Sequence, residues 1–377
     1  MEKGAEGRPA GLRIFLAGDV MTGRGIDQIL PHPSDPQLFE GWVSSAEDYV
    51  SLAERACGPI PRQVPFSYIW GDLLPDLSAR GCDLRIVNLE TAITRAVTHW
   101  PKGINYRMSP ENVGALSAAR LDACTLANNH VLDWGDAGLI ETLEVLEGAR
   151  IAQAGAGRTA QEAEAPLALD VPGKGRLLIL AMGSGTSGVP AQWRAGPDRP
   201  GVDLLPDDPE ATVTAVRERI APIRRQGDLL LFSVHWGPNW GFDVPFQQRA
   251  LARALIDRAG VDLVFGHSSH HPKGIEVYRG KLIVYGAGDL INDYEGIGGQ
   301  ESYHPDLGLA YVADLTPSTG KLAGLELLPY RRCAFRLNRA GEDEVDWLAH
   351  MLGRDSLLGE GGIVRQPSGP LSLHIGG

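Results

Sequence analysis

Short aliphatic runs alternate along this chain with amphipathic stretches. The runs at 12–17, 84–87, 121–127, 177–182, 229–234, 261–265 and 282–285 are brief and flanked by glycine or polar residues, which predicts strands. Between them, 137–146 carries Leu139, Leu143 and Leu146 on one helical face, and 246–259 carries Leu251, Leu255 and Ile256. Stretches 211–224 and 345–352 also read as helices. Strand–helix alternation predicts an α/β protein with a largely parallel sheet. The later runs 274–277, 282–285, 309–315 and 322–328 succeed one another without helices and read as antiparallel. Together they predict a mixed, two-sheet sandwich with outer helices. No linker divides the chain, so one domain is expected over 12–335, with a C-terminal extension, 336–377, packed on it. The 47 glycines and 26 prolines predict many loops; 31–65 and 183–209 are the loosest stretches and read as long loops or lids.

The chemistry is concentrated in the residues just past the strand ends. The first run leads into Gly18-Asp19-Val20-Met21, the second into Asn88-Leu89-Glu90, and the third into Asn128-Asn129-His130 with Asp133 three residues on. The fifth leads into His235-Trp236-Gly237 and the sixth into Gly266-His267-Ser268-Ser269-His270-His271. Carboxyl ends of parallel strands gather at one edge of an α/β sheet, where ligands bind. Asp, Glu, Asn and His are hard-to-borderline ligands that suit Mn, Zn or Fe. Asp19, Glu90, Asn129, His235, His267 and His270 provide about the ligand count for two divalent ions ~3.5–4 Å apart. His130 is then free for general acid work, with Asp133 orienting it or a ligand. His271 competes with His270 for the ligand role. Asn88 either supports the site from behind or shapes a turn.

The series Gly18-Asp19-Val20-Met21-Thr22-Gly23-Arg24, Asn88-Leu89-Glu90, Ala127-Asn128-Asn129-His130 through Asp133 and Gly135, His235-Trp236-Gly237, and Gly266-His267 through His270 with Gly274 and Glu276 resembles the motif series of the capsule-synthesis CapA/PgsA family. The resemblance covers residues 12 to 293 and leaves the 31–65 insertion and the C-terminal tail outside. That family is similar to the calcineurin-like metallophosphoesterases. The resemblance therefore implies a four-layer α/β/β/α sandwich with mixed sheets, a dinuclear centre on the six residues named above, and an acid or transition-state role for His130. Departures are visible. Asp19-Val20-Met21 lacks the histidine of the phosphoesterase Asp-x-His pair, and Asn88-Leu89-Glu90 replaces the second-strand aspartate motif. Ser268-Ser269 stands where His-Pro is common, Asn239 where an acid is common, and Gly288-Asp289-Leu290 where Gly-Asn-Phe is common. Asp289 either adds a carboxylate to the site or caps a loop.

Charge then narrows the partners. The net charge of −12, from 47 acids and 35 bases, disfavours nucleic acid and anionic lipid. An anionic substrate remains compatible if metals and a few cations line the pocket. Arg24, Lys102 and Arg107 lie in or near the motifs and are the candidate substrate cations, with plain surface solvation as the competing role. Trp236 and Trp240 either wall the pocket or pack in the core. Gly155-Ala156-Gly157 is a bare G-x-G, and no nucleophile elbow surrounds Ser184 or Ser187.

Cys57, Cys82, Cys124 and Cys333 form no C-x-x-C pair, which disfavours a thiolate zinc site. Cys82 and Cys124 read as buried thiols, and reduced cysteines fit a cytoplasmic setting. Residues 1–6 lack the apolar core of a signal peptide, and no stretch offers the ~20 apolar residues of a membrane span. A cytoplasmic protein without a membrane anchor is the expectation; a homo-oligomer is compatible with the sequence. Two functions compete. One is a metal-dependent hydrolase of a phosphoester or a γ-glutamyl-type amide, in a small molecule or a glutamate-containing polymer. The other is a non-catalytic component of poly-γ-glutamate or capsule synthesis or export. Histidine ligation predicts that metal affinity falls as pH drops through ~6.5.

Overall fold

The structure is a computed structural model that describes residues 11–366 and 369–374. Residues 1–6 and the end of the C-terminal extension, on which two of the expectations above bear, lie outside the described residues.

Two mixed sheets form the centre. The ten-stranded sheet runs in the order Gly362–Arg365, Leu371–His374, Leu322–Cys333, Leu307–Leu315, Leu12–Val20, Leu84–Leu89, Ala123–Thr125, Ala152–Ala154, with Asp289–Ile291 beside the first strand and Arg336–Arg339 beside Leu322–Cys333. Its Leu12, Leu84, Ala123 and Ala152 strands are parallel neighbours, whereas Leu307–Leu315 and Leu322–Cys333 are antiparallel. The six-stranded sheet has parallel Gly175–Gly183, Leu229–His235, Leu263–His267 and Lys281–Val284, closed at both edges by antiparallel strands.

Side-chain alternation along the strands builds the layers. Leu177, Ile179, Leu229, Leu231, Leu263 and Phe265 share one core with the ten-stranded sheet. Their alternates Leu178, Leu180, Leu230, Phe232 and Val264 pack on Val213, Val216, Leu251 and Leu255 of the Pro209–Ile220 and Phe246–Ala259 helices. Leu73, Leu77, Leu116, Leu139 and Leu143, from the Leu73–Arg80, Gly114–Ala118 and Gly135–Gly148 helices, pack into the core of the ten-stranded sheet. The result is the four-layer α/β/β/α sandwich that the resemblance implied.

Several local readings change. Stretch 31–65 contains the Ala46–Cys57 helix, capped by Ser45 and burying Tyr49, Val50 and Ala53. The Leu73–Arg80 helix and the Leu167–Val171 edge strand are additions to the elements that the pattern predicts. The 121–127 run yields only Ala123–Thr125 as strand. Asn128 ends it: its amide donates to the Leu89 carbonyl at 2.8 Å, while its oxygen accepts from His130 and Val131 N–H at 3.0 and 3.1 Å. That turn aims Asn129 and His130 at the strand-end edge. Beyond residue 335, the Arg336–Arg339 and Leu371–His374 strands pair with Leu322–Cys333, and Leu348 and Leu352 of the Glu342–Asp355 helix lie in the main core.

The cysteine reading needs correction. Cys57, which ends the Ala46–Cys57 helix, and Cys333, which ends the Leu322–Cys333 strand, form a disulfide with Cα atoms 5.7 Å apart. Cys124 is a buried thiol, but Cys82 is only half-buried. The pairing removes reduced cysteines as an argument for a cytoplasmic setting. None of the described helices is long and apolar enough to cross a membrane.

Candidate metal centre

The site sits where both sheets present their strand ends. Asp19 lies opposite Asp289 in a parallel register, and a bulge separates it from Val20. The bulge locally re-aims the strand. Gly18 permits this approach, because a Cβ there would meet the Gly288 carbonyl oxygen at 2.1 Å. Asp19 Oδ1 accepts from Asn88 Nδ2 at 2.7 Å, and Oδ2 accepts from the Ser268 N–H at 3.0 Å. Ser268 has φ 100°, a costly conformation for a residue with a side chain, and it orients that N–H.

The imidazoles arrive from the second sheet. His235 Nδ1 and His267 Nδ1 face each other at 2.8 Å, with Asp19 Oδ1 at 3.9 and 3.6 Å. Nε2 of His235 is 3.0 Å from Asn129 Oδ1 and 3.7 Å from Glu90 Oε1. His267 Nε2 meets Ser233 Oγ at 2.8 Å, and Ser233 in turn donates to Thr125. Since the serine proton is committed, His267 carries its own on Nε2 and offers the Nδ1 lone pair toward Asp19. Asp19, His235 and His267 hold ligand atoms within 4.8 Å of one another.

His130 stands on the opposite wall. Its Nδ1 meets Asp133 Oδ2 at 2.7 Å, and its Nε2 lies 3.8 Å from Glu90 Oε1. Asp133 Oδ2 also accepts the Tyr106 N–H at 2.6 Å, so the carboxylate that orients His130 is itself fixed. Lys102 Nζ is 2.6 Å from Asp133 Oδ1, 3.2 Å from His130 Nδ1, and donates to the Asn129 carbonyl. A cavity of about 290 Å³ is lined by Glu90, Lys102, Asn129, His130, His235, His270 and Tyr294, among others.

Electrostatics make this an unbalanced site. Burial first, and Asp289 second, push the Asp19 carboxyl up to about 7. Burial, then Asp19 and Asp289, hold Glu90 well above the carboxylate range. Burial lowers His267 to about 3 and, with His267 as the next cause, His235 well below its usual value. Burial also brings His130 down to about 4, against the opposing pull of Asp133. For His270, burial is outweighed by Asp289, and its pKa is raised. Acids that resist ionisation beside His235 and His267, which resist protonation, form a place that favours a bound cation. Glu90 Oε2 is buried without a hydrogen-bond partner among the described residues. The donor set of carboxylate, carboxamide and imidazole therefore fits divalent ions.

The proton balance predicts a pH dependence. Near pH 7 Asp19 is only partly ionised and Glu90 is biased toward its protonated form, so a cation competes with protons there, whereas burial keeps His235 and His267 neutral. Metal affinity is thus expected to rise with pH through about 7, with roughly one proton or more released per chain. Calorimetric titration with Mn²⁺ in buffers of different ionisation enthalpy measures that release; buffer-independent heats and a flat affinity profile would refute it. For His235 and His267 burial removes the imidazole titration and moves the sensitivity to the carboxylates, whereas His270, raised by Asp289, keeps an imidazole contribution.

Not every candidate reaches the cavity. Arg24 is buried, with its guanidinium on Asp293 at 2.5 and 3.1 Å and on Glu40 at 2.9 Å. It locks the 31–65 segment onto the loop after Asp289–Ile291 instead of facing substrate. Arg107 stacks over Trp134 at 4.0 Å and donates to the carbonyls of Ala96 and Asp35, away from the cavity. Asn88 is a link behind Asp19, accepting from Asn128 Nδ2 at 3.1 Å. Lys102 lines the cavity but is already tied to Asp133. His271 is fully buried between Trp240, Phe242 and Tyr303 rather than beside the other donors. Trp236 is core, whereas Trp240 sits edge-on to His270 at 5.3 Å. Tyr294 and Asn292 join the site without a signal in the motifs, since neither comes directly after a predicted strand.

An α/β/β/α sandwich with a buried carboxylate–imidazole cluster at its shared strand-end edge defines the class. The chain belongs to the bacterial capsule synthesis protein family PGA_cap, whose sequence model matches residues 13–294. It is 44% identical over 352 residues to the "Probable polyglutamine synthesis accessory protein" of Mycobacterium tuberculosis, covering 93% of this chain and 92% of that one. It is 29% identical to the "PGA biosynthesis protein CapA" of Bacillus subtilis, over 75% of this chain and 63% of that one. A solved phosphatase from Mycoplasma pneumoniae aligns over 89% of this chain and 96% of its own, with TM-score 0.48 and 14% identity.

Proposed function

We propose that this protein is a metal-dependent hydrolase acting on a phosphoester or a γ-glutamyl-type amide of a capsule-related, glutamate-containing molecule. The observation that carries the reading is the clustering of Asp19, His235 and His267 from both sheets, directly beside a cavity that Glu90, Asn129, His235 and His270 line. Asp19, Glu90, Asn129, His235, His267 and His270 would hold two divalent ions, Mn, Zn or Fe. Such ions supply an acidified water and a Lewis acid for the scissile group.

The chain's own residues do the rest. Asp133 takes the Nδ1–H of His130 and leaves Nε2 toward the cavity, where it can accept a proton and then return it to a leaving group. Lys102 holds Asp133 and the Asn129 carbonyl, which fixes the wall carrying both His130 and Asn129. Buried Tyr106 and half-buried Tyr294, joined through their hydroxyls at 2.5 Å, back His130 and His270.

A second reading is a non-catalytic accessory to poly-glutamate or capsule synthesis. It is favoured by the name that the 44% identical relative carries. Elemental analysis of the purified chain, followed by turnover assays on phosphoesters and γ-glutamyl peptides with the metal found, separates the two. Metal-dependent turnover of either bond supports the hydrolase. Bound metal with no turnover across both panels favours the accessory role, and a wild-type chain that binds no metal after reconstitution sinks the hydrolase.

A further inference from the structure

We propose that Asp289 is a positioning residue that sets the tautomer of His270 and so prepares one of the two cation sites; this step rests on the metal-dependent reading above. His270 lines the cavity, and its Nδ1 is 3.1 Å from Asp289 Oδ1. Its backbone is fixed as well, through its N–H on the Asn239 carbonyl at 2.9 Å. The other carboxylate oxygen, Oδ2, accepts from Asn292 Nδ2 at 2.7 Å. The orientation of that amide is settled by its own oxygen, which accepts the Tyr294 N–H at 3.1 Å. Asp289 is fully buried, its strand is in parallel register with Asp19, and its carbonyl accepts from Arg332.

Asn292 donates to Oδ2 and His270 presents Nδ1 to Oδ1, so a group at position 289 that only accepts makes His270 the donor there. An ionised carboxylate does this with both oxygens; a carboxamide does it with one. With Nδ1–H given to Asp289, His270 keeps its lone pair on Nε2, the nitrogen a cation takes. An asparagine at 289 would oppose one NH₂ to a donor. If it opposed His270, the ring would relieve the clash by moving its proton to Nε2 and would lose the lone pair needed for metal. If it opposed Asn292, the amide of Asn292 would turn and release Tyr294, which sits edge-on to His270 at 5.2 Å. The aspartate that replaces the family's common asparagine is thus matched to Asn292, three residues on.

This arrangement predicts a rescue. Asp289→Asn is expected to weaken one of two Mn²⁺ sites by about 10–100-fold. His270→Ala weakens the same site, and the two changes together add little to His270→Ala alone. The exchange Asp289→Asn with Asn292→Asp restores an acceptor to both partners and should recover most of the affinity. Calorimetric titration of the full chain with Mn²⁺ reads the affinity. Long-range ¹H–¹⁵N spectra of the histidine rings read the His270 tautomer without metal. An unchanged His270 tautomer and unchanged Mn²⁺ affinity in Asp289→Asn overturn the proposal, and so does a folded exchange variant that recovers neither. A wild-type chain that takes up no Mn²⁺, Zn²⁺ or Fe²⁺ overturns the metal-dependent reading itself and the Asp289 step with it. Normal uptake that ignores Asp289 overturns only this step.

Discussion

His235→Ala is expected to abolish stoichiometric metal binding and to lower any metal-dependent turnover by about 1000-fold or more. Loss of an outer partner of a metal ligand costs about 10–100-fold in metal affinity or activity, and loss of a ligand at the centre of the site costs more. His235 is central by geometry: Nδ1 faces His267 and Asp19, while Nε2 faces Asn129 and Glu90. The alanine removes both ring nitrogens from the middle of the cluster, leaving a gap between His267 and Asn129. The residue ends a strand rather than filling the apolar core, so the fold is expected to survive, with unchanged far-ultraviolet circular dichroism. Elemental analysis alongside turnover reads the result. A variant that keeps full metal occupancy would mean that the donors assemble elsewhere, and the site assignment would fall.

The sandwich and the edge of the site are legible in the sequence because each rests on local pattern. Aliphatic runs of strand length that lead into Asp19, Asn88, Asn129, His235 or His267 announce parallel strands with polar ends. Parallel pairing then brings those ends together without further information. Less legible are features fixed by partners far along the chain. Arg24 closes a motif and looks available, but Asp293 and Glu40 consume its guanidinium, 269 and 16 residues away. Lys102 reaches the cavity yet spends its charge on Asp133. Asp289 reads equally as a site carboxylate or a loop cap until the register with Asp19 places it beside the carboxylate–imidazole cluster. The Ala46–Cys57 helix does leave a local signal, Ser45 ahead of Glu47 and Asp48, which the prolines around it obscure. The pairing of Cys57 with Cys333 leaves none, because spacing cannot reveal a pairing made by the fold.

That pairing carries the largest expected effect on stability. The disulfide spans 276 residues and joins the helix inside 31–65 to the end of the Leu322–Cys333 strand. In the chain-entropy description, closing a loop of this length removes about 5.6 kcal/mol of freedom from the unfolded chain. The link also sits next to the wall of the candidate site. Ala334 and Phe335, directly after Cys333, have φ 59° and 53°, and their N–H groups both donate to Glu295 at 2.7 Å. Glu295 adjoins Tyr294, which lines the cavity, and lies two residues from Asp293, which holds Arg24. Cys57→Ser with Cys333→Ser is therefore expected to lower unfolding free energy by about 3–5 kcal/mol and to loosen the wall beside His270. Denaturant unfolding of wild type with and without dithiothreitol, set beside the double variant, measures it. The reduced wild type should match the variant, and the variant should ignore the reductant. Thiol titration of the unfolded, unreduced wild type should find two thiols, from Cys82 and Cys124. Finding all four free would show that the bridge does not form, and the predicted stability difference would vanish with it.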